Sequence, residues 1–289
     1  MIHWLEGREQ FQAFADQCAR LRVASEEWLS TIDSVNGYCV CCERVTTMQI
    51  RSGAMLGHLP NLREGLLCSD CGLSNRCRLI YKAVVEEMHG DNAGAKSILL
   101  LERVTPLYAR LANHFPDLIG SEYLGPGHQG GGEYPCGPET SVRHESLVSL
   151  SFANNSLRLL VHNDILEHIP DYRQAISESH RALIVGGATI FTCPFFVERE
   201  ETLIRARMNE DGTLRHFETP EFHGDPLNSS EGILAFYHHG WDLLDDLRAA
   251  GFRDVKLGVT YDVFAGFVSN NFPGGGYGLM LPILIRARK

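Results

Sequence analysis

FANNSLRLLVHNDILEHIPDYRQAISESHRALIVGGATIFTCP, residues 152–194, holds the architecture of this chain in miniature. LRLLVHN is an apolar run of strand length that ends in the polar pair Asn163-Asp164. ILEHIPDYRQAISESHRAL then carries Tyr172, Ile176 and Leu183 at helical spacing. Gly186 and Gly187 are expected to stop that helix, and ATIFTCP to start a β-branched strand closed by Pro194. Strand, acidic loop, helix, glycine turn and strand follow in the order that builds half of a nucleotide-binding α/β sheet. Ligands of such sheets sit beyond the carboxyl ends of the strands, where Asn163 and Asp164 fall.

The same alternation extends upstream. Tyr81–Met88 is expected as a helix, Asp91–Gly94 as a loop, and Ser97–Leu101 as an apolar strand ending at Glu102. Thr105–His114 follows as a helix and Asp117–Ser121 as a second strand ending at Glu122. Gly125–Thr140, with Gly130-Gly131-Gly132, reads as a mobile surface loop, and Arg143–Leu150 leads into the opening stretch. Downstream, Trp241–Gly251 is an amphipathic helix stopped by its glycine. Asp254–Tyr261 and Leu279–Arg286 supply the last two strands, whose pairing should make an antiparallel edge. Strands and helices at this spacing argue a mostly parallel, doubly wound sheet.

Nine cysteines are unevenly spread: six lie between Cys39 and Cys77, while Cys18, Cys136 and Cys193 stand alone. Cys39 and Cys42 form one Cys-x-x-Cys, and Cys68 and Cys71 another. Two such knuckles bring four thiolates to one tetrahedral centre, the soft set that zinc takes in closed structural sites. Val45–Ile50 alternates like a strand between them, as in a zinc ribbon, and Gly72 supplies the positive φ such turns use. Cys41 could replace a neighbour, and Cys77 lies close. Four thiolates leave no position for water, so structure rather than catalysis is expected of the metal. Arg63-Glu64 and Asn75–Arg78 could dock this module or form a solvated charged face. Ahead of it, residues 1 to about 36 read as one packing helix, with Trp4, Phe11, Phe14, Cys18, Leu21, Trp28 and Leu29 on its stripe, ended by Asn36-Gly37.

Bulk properties exclude several classes. The 289 residues are 44% hydrophobic and 21% charged, the balance of a globular chain. No apolar run reaches the ~18 residues of a membrane span, and Glu6, Arg8 and Glu9 leave no apolar signal-peptide core at the start. A formal net charge of −10 argues against a general nucleic-acid groove and in favour of a small-molecule partner. Clustered rather than framework cysteines without a secretion signal fit the cytoplasm. Oligomerisation is left open.

Asn163-Asp164-Ile165-Leu166-Glu167-His168-Ile169-Pro170-Asp171, with Gly186-Gly187 before the next strand, resembles the second half of a class I S-adenosylmethionine (SAM)-dependent methyltransferase domain. The resemblance implies a Rossmann-like α/β sheet, SAM as cofactor, and methyl transfer. It divides the chain into an N-terminal helix with a four-cysteine zinc-binding module, residues 1–80, and a methyltransferase-like domain, residues 81–289. The first strand departs from the general family. Leu101-Glu102-Arg103-Val104-Thr105-Pro106-Leu107-Tyr108 has none of the glycines that usually let the backbone approach the ligand. This Glu-x-x-Thr-Pro-Leu-Tyr turn is similar to that of a bacterial subgroup of zinc-ribbon methyltransferase-like proteins. The likeness includes Ile119–Tyr123, Arg143-His144-Glu145, His223–Pro226 and His238–Phe252. On this resemblance Glu122 takes the ribose hydroxyls, Glu145 the adenine amine and Asn163 the methionine portion. Glu102 reaches the SAM amino group, and Thr105 and Tyr108 complete the cofactor set.

The acceptor side is expected in an insert at about 195–240, where aromatics and histidines interleave as in a pocket lid. Methyl transfer to oxygen or nitrogen needs positioning and a base. His168, His223, His238 and His239 are the candidates, each weighed against a structural role. Histidine clusters also bind metals, and Asp225 could join His223, but no ligand spacing here specifies a second metal. The leading expectation is transfer to a small-molecule or saccharide acceptor, with oxygen favoured over nitrogen by base rate. The alternatives are a non-catalytic binding or scaffold protein on the same fold, and a SAM-dependent enzyme of another reaction type.

Overall fold

The computed structural model describes residues 1–50, 55–56, 59–89, 97–136, 140–224, 227, 232–269 and 281–289. It divides into two compact units. One comprises Met1–Ala93, Thr105–Pro116 and Lys256–Ile285, and the other Gly94–Val104, Asp117–Val255 and Arg286–Lys289.

Five principal strands lie in the second unit, β1 Ser97–Leu100, β2 Ile119–Glu122, β3 Ser141–His144, β4 Leu157–Asn163 and β5 Leu183–Thr192, while β6 Asp254–Val259 and β7 Leu284–Arg288 are divided between the two. Their order in the sheet is β3-β2-β1-β4-β5-β7-β6, and the division between units runs through β6 and β7. β4 lies parallel to β1 (Val161 opposite Leu100) and to β5 (Asn163 opposite Thr192). β1–β2 and β2–β3 are also parallel. Leu157–Val161 is buried throughout, as a strand covered on both faces must be, which is why it reads as an apolar run broken only by Arg158. The expected Rossmann-like sheet is therefore present, and β4 has the bounds read from sequence.

Its edges differ from expectation. Glu133–Pro135, inside the segment expected as a mobile loop, is a strand antiparallel to β3, and β3 itself replaces what reads in sequence as a lead-in. The helix after β4 runs from Tyr172 to Ala182, N-capped by the Asp171 carboxylate on the Gln174 N–H at 3.0 Å. It ends before the glycines: Gly186 and Gly187 instead lie within β5, where the register against β4 slips between Leu157 and Leu159. Gly186, at φ +78°, shapes that bulge.

The insert is not a lid throughout. Ala206–Met208 with Leu214–His216 is an outlying hairpin, but Ala235, Phe236, Tyr237, His238, His239 and Trp241 are all buried. The aromatic–histidine alternation there is core packing, with Tyr237 stacked on His239 and Phe196 on His238. Asp242–Ala249 then forms the amphipathic helix.

In the first unit the long helix spans Arg8–Leu29 only; His3–Leu5, carrying Trp4, is a strand antiparallel to Leu257–Val259. Gly7 breaks the two apart, and Ser34–Cys39 is already a strand. Glu26 is buried on this helix and accepts hydrogen bonds from the Ser269 N–H and hydroxyl. Ser34–Cys39, Arg44–Gln49 and Leu67–Cys68 form a three-stranded antiparallel sheet. Asn75–Met88 is a helix six residues longer at its start than periodicity suggests, capped by the Ser74 hydroxyl on the Cys77 N–H at 3.3 Å. Pro106–His114 is a second helix, capped by Thr105. Of the final strand expected from Leu279, residues up to 280 lie outside the described residues, as does the Asp91–Gly94 loop. No helix among the described residues is long and apolar enough to cross a membrane.

Candidate functional site

The expected cofactor residues fall into four local arrangements. At the carboxyl edge of β1 and β4, the Asn163 side-chain amide donates to the Glu102 carboxylate. Asn163 Oδ1 is buried without a hydrogen-bond partner. A lone acceptor beside a carboxylate is a cradle for an ammonium or other polar cation. Glu122, at the end of β2, instead closes the turn that follows β1. Its Oε1 accepts the Arg103 N–H at 2.6 Å and the Val104 N–H at 2.9 Å. The turn lacks glycines, and a carboxylate gathers its amides.

Glu145 is buried and committed. It accepts from Arg143 Nε at 2.8 Å and from the Ser151 N–H at 2.9 Å, fastening the segment after β3. Thr105 and Tyr108 belong to the other unit, where the Thr105 hydroxyl accepts the Tyr108 N–H at 3.2 Å as a helix cap. Of the six residues read as cofactor-binding, Glu102 and Asn163 are joined directly by a hydrogen bond between their side chains.

The histidines divide. His239 is 0% exposed, edge-on to Tyr172, and burial drives its pKa down to about 3. A neutral imidazole shut away from solvent packs a core and cannot exchange protons with a bound acceptor. His238 is also buried, with its pKa lowered by burial, and donates to Glu221 Oε2 at 3.1 Å.

His168 and His223 converge on Glu167, a residue that no sequence pattern singles out for chemistry. Asp164 makes this possible: at φ +45° it turns the chain off β4, held by the Thr192 hydroxyl at 2.7 Å. Leu166–His168 follows as a 3-10 turn. The antiparallel pair Phe222–His223 and Ile233–Leu234 brings in His223. Gly232 leaves no room for a side chain, since a Cβ there would lie 2.5 Å from the His223 carbonyl oxygen. His168 Nε2 and His223 Nδ1 lie 3.6 and 3.7 Å from Glu167 Oε1. Glu167 is fully buried, which pushes its pKa up. Burial pulls the His223 pKa down, but Glu167 and Glu221 overcome it and hold the group at about 9. Asp225 lies outside the described residues.

In the first unit the Cys39, Cys42, Cys68 and Cys71 sulfurs lie within 4.8 Å of one another. Cys39–Cys71 and Cys42–Cys68 are 3.7 and 3.9 Å apart. A tetrahedral ion with sulfur at ~2.3 Å separates its ligands by about 3.8 Å. The two knuckles share one backbone form: Glu43 N–H bonds Cys39 C=O and Gly72 N–H bonds Cys68 C=O, each at 2.8 Å, and both residues have positive φ. Cys41 and Cys77 are outside the foursome. The Thr46 hydroxyl meets Cys68 Sγ at 3.1 Å. Arg78 is 0% exposed and donates to the carbonyls of Leu66, Leu73 and Gly266. Burial lowers its pKa, while the neighbouring thiols act to hold its charge. Arg78 thus neither docks the module through an exposed patch nor joins a solvated face.

Residues 129–191 match the family model described as a methyltransferase domain. Among solved structures, a SAM-dependent methyltransferase from Mesorhizobium loti is 15% identical over 74% of this chain and 98% of that one, with a TM-score of 0.41. One from Archaeoglobus fulgidus is 14% identical over 74% and 94%, also with a TM-score of 0.41. A possible histamine N-methyltransferase from Thermotoga maritima is 17% identical over 74% and 91%, with a TM-score of 0.37. No curated protein matches the chain. The family match thus spans 63 of the 289 residues, from the end of the Gly-rich segment to β5.

Proposed function

We propose that this chain is a SAM-dependent methyltransferase acting on a small-molecule or saccharide acceptor, at oxygen rather than nitrogen, in the cytoplasm. The observation that carries the SAM assignment is the buried, unpartnered Asn163 Oδ1 beside Glu102 at the carboxyl edge of the parallel strands. An acceptor oxygen left in such a place suits the ammonium of an amino acid moiety. In this reading Glu102 and Asn163 hold that group, and Glu122 takes the ribose hydroxyls in exchange for the amides it now gathers. SAM supplies an already activated methyl group, so the chain's task is to position the acceptor and exclude water. The domain boundary near residue 80 and a structural zinc on Cys39, Cys42, Cys68 and Cys71 belong to the same reading. The donor set supports that metal: four sulfurs at tetrahedral spacing with a buried cation close by.

Calorimetry of the full chain with SAM and with S-adenosylhomocysteine tests the assignment. Both should bind, and Asn163→Ala should weaken them 10- to 100-fold, the scale of a lost hydrogen bond to a charged group. Absence of binding at millimolar concentrations would overturn the reading, and unchanged affinity in Asn163→Ala would move the site elsewhere. Product linkage from methyl-labelled SAM, ether or amine, decides between oxygen and nitrogen.

A further inference from the structure

We propose that Glu167, His168 and His223 form a binding site for a divalent first-row metal ion, separate from the thiol cluster. Three features argue for an ion rather than for a chance meeting of polar groups. First, the spacing suits shared ligation. His168 Nε2 and His223 Nδ1 stand 3.6 and 3.7 Å from one carboxylate oxygen, beyond hydrogen-bond length. An ion with nitrogen and oxygen ligands at ~2.1 Å separates those ligands by about 3.0 Å in octahedral and 3.4 Å in tetrahedral geometry. The donor atoms therefore need to move in by only a few tenths of an ångström.

Second, Glu167 is fully buried and neither of its oxygens has a hydrogen-bond partner among the described residues. A carboxylate in that position is costly unless a cation meets it. Third, both imidazoles are oriented by their opposite nitrogens. His168 Nδ1 lies 2.9 Å from the Leu234 carbonyl oxygen, which can only accept, so Nδ1 carries the proton and Nε2 presents its lone pair to Glu167. His223 Nε2 donates to Glu221 Oε1 at 2.9 Å, which likewise leaves Nδ1 facing Glu167. Glu221 is in turn fixed by Arg205 at 3.2 Å and by His238. A histidine whose second nitrogen is held by a carbonyl or a carboxylate is the usual outer arrangement of a metal site.

The donor set of two imidazoles and a carboxylate suits zinc, cobalt, manganese or iron. Three protein ligands leave at least one position for an oxygen ligand, and the His223 side chain, 30% exposed, marks the side from which it enters. Sulfur is absent from this set, so the two sites differ in the metals they prefer.

The test is equilibrium dialysis of the full chain against Zn2+, Mn2+ or Co2+ separately, followed by metal analysis. Wild type should retain one equivalent more than Glu167→Gln, His168→Ala or His223→Ala for at least one of these ions. Retention by the thiol cluster and an unchanged circular-dichroism melt report that each variant is folded. Equal metal content in wild type and the three folded variants overturns the site. A measurement that needs no variant runs beside it: modification of His223 by diethyl pyrocarbonate, read by mass spectrometry. The bound ion should slow it at least tenfold, and identical rates with and without each of the three ions would also overturn the site. Neither readout involves methyl transfer or SAM.

Discussion

Two groups of ligand-type side chains occupy the two units, and they were written into the chain in opposite ways. The thiol cluster comes from two tetrapeptide knuckles, so its ligands are neighbours in sequence and their spacing can be read directly. Glu167 and His168 are adjacent, but His223 arrives through an antiparallel pair more than fifty residues on. No periodicity or motif joins those partners; only the turn at Asp164 and the close approach at Gly232 do. The first group is closed and shielded, the second open at His223. A knuckle encodes a site locally, whereas an open site needs tertiary structure to assemble it.

The largest test of this contrast is removal of the thiols. Cys68→Ser with Cys71→Ser should abolish the zinc equivalent and cooperative folding of the first unit, because structural zinc contributes on the order of 10 kcal/mol. Metal analysis with a thermal melt reads both, and a folded, unaltered melt would mean that the cluster holds no structural ion. Arg78→Met sharpens the point. Four thiolates on one divalent ion carry net negative charge, and removing the buried guanidinium beside them should cost about 3–5 kcal/mol. If the thiols are protonated and metal-free, the change should be neutral or stabilising in a denaturant titration.

The units should also respond to pH with opposite sign. In the first, burial raises the Glu26 pKa to about 7, well above its unfolded value, so the folded state holds the extra proton. That stabilisation is present in full below the unfolded pKa and is lost as pH rises through 7, about 3 kcal/mol in all. Glu26→Gln should flatten this slope. In the second, burial lowers the His162 pKa to about 3, against 6.5 unfolded. Stability is complete above pH 6.5 and falls by about 2 kcal/mol on acidification to pH 5, as the unfolded chain takes up the proton. His162→Phe should remove that loss, provided the ring fills the place now stacked on Phe191. Hydrogen exchange resolved by segment separates the two slopes, and slopes of the same sign would break the comparison.

How much could be read beforehand follows from burial. β4 was legible to the residue because a strand covered on both faces leaves a largely apolar signature, here with Arg158 as its one charged residue. β3, Ser141–His144, was not: four residues with Arg143 and His144 among them carry no such pattern, and parallel pairing with β2 defines the strand. Residues 235–241 misled because histidine is polar in composition but packs like an aromatic once neutral, as His239 does between Tyr172 and Tyr237. The carboxyl edge of the parallel strands was half legible. Strand ends pointed to Glu102, Glu122 and Asn163, whereas the pairing of Glu102 with Asn163 and the hold of Glu122 on the Arg103–Val104 amides depend on how neighbouring strands align.

Arg78 has a further consequence, in the order of events during synthesis. Its guanidinium reaches Gly266, 188 residues later in the chain, and its neighbour Asn75 donates to Val268. At ~5–20 residues per second, the ribosome delivers those carbonyls roughly 10 to 40 s after Arg78 itself has been made. Through that interval the cysteine knuckles exist with the Arg78 guanidinium unanchored. The cysteine module is therefore finished only after residues 266–268 have been made, long after its own residues.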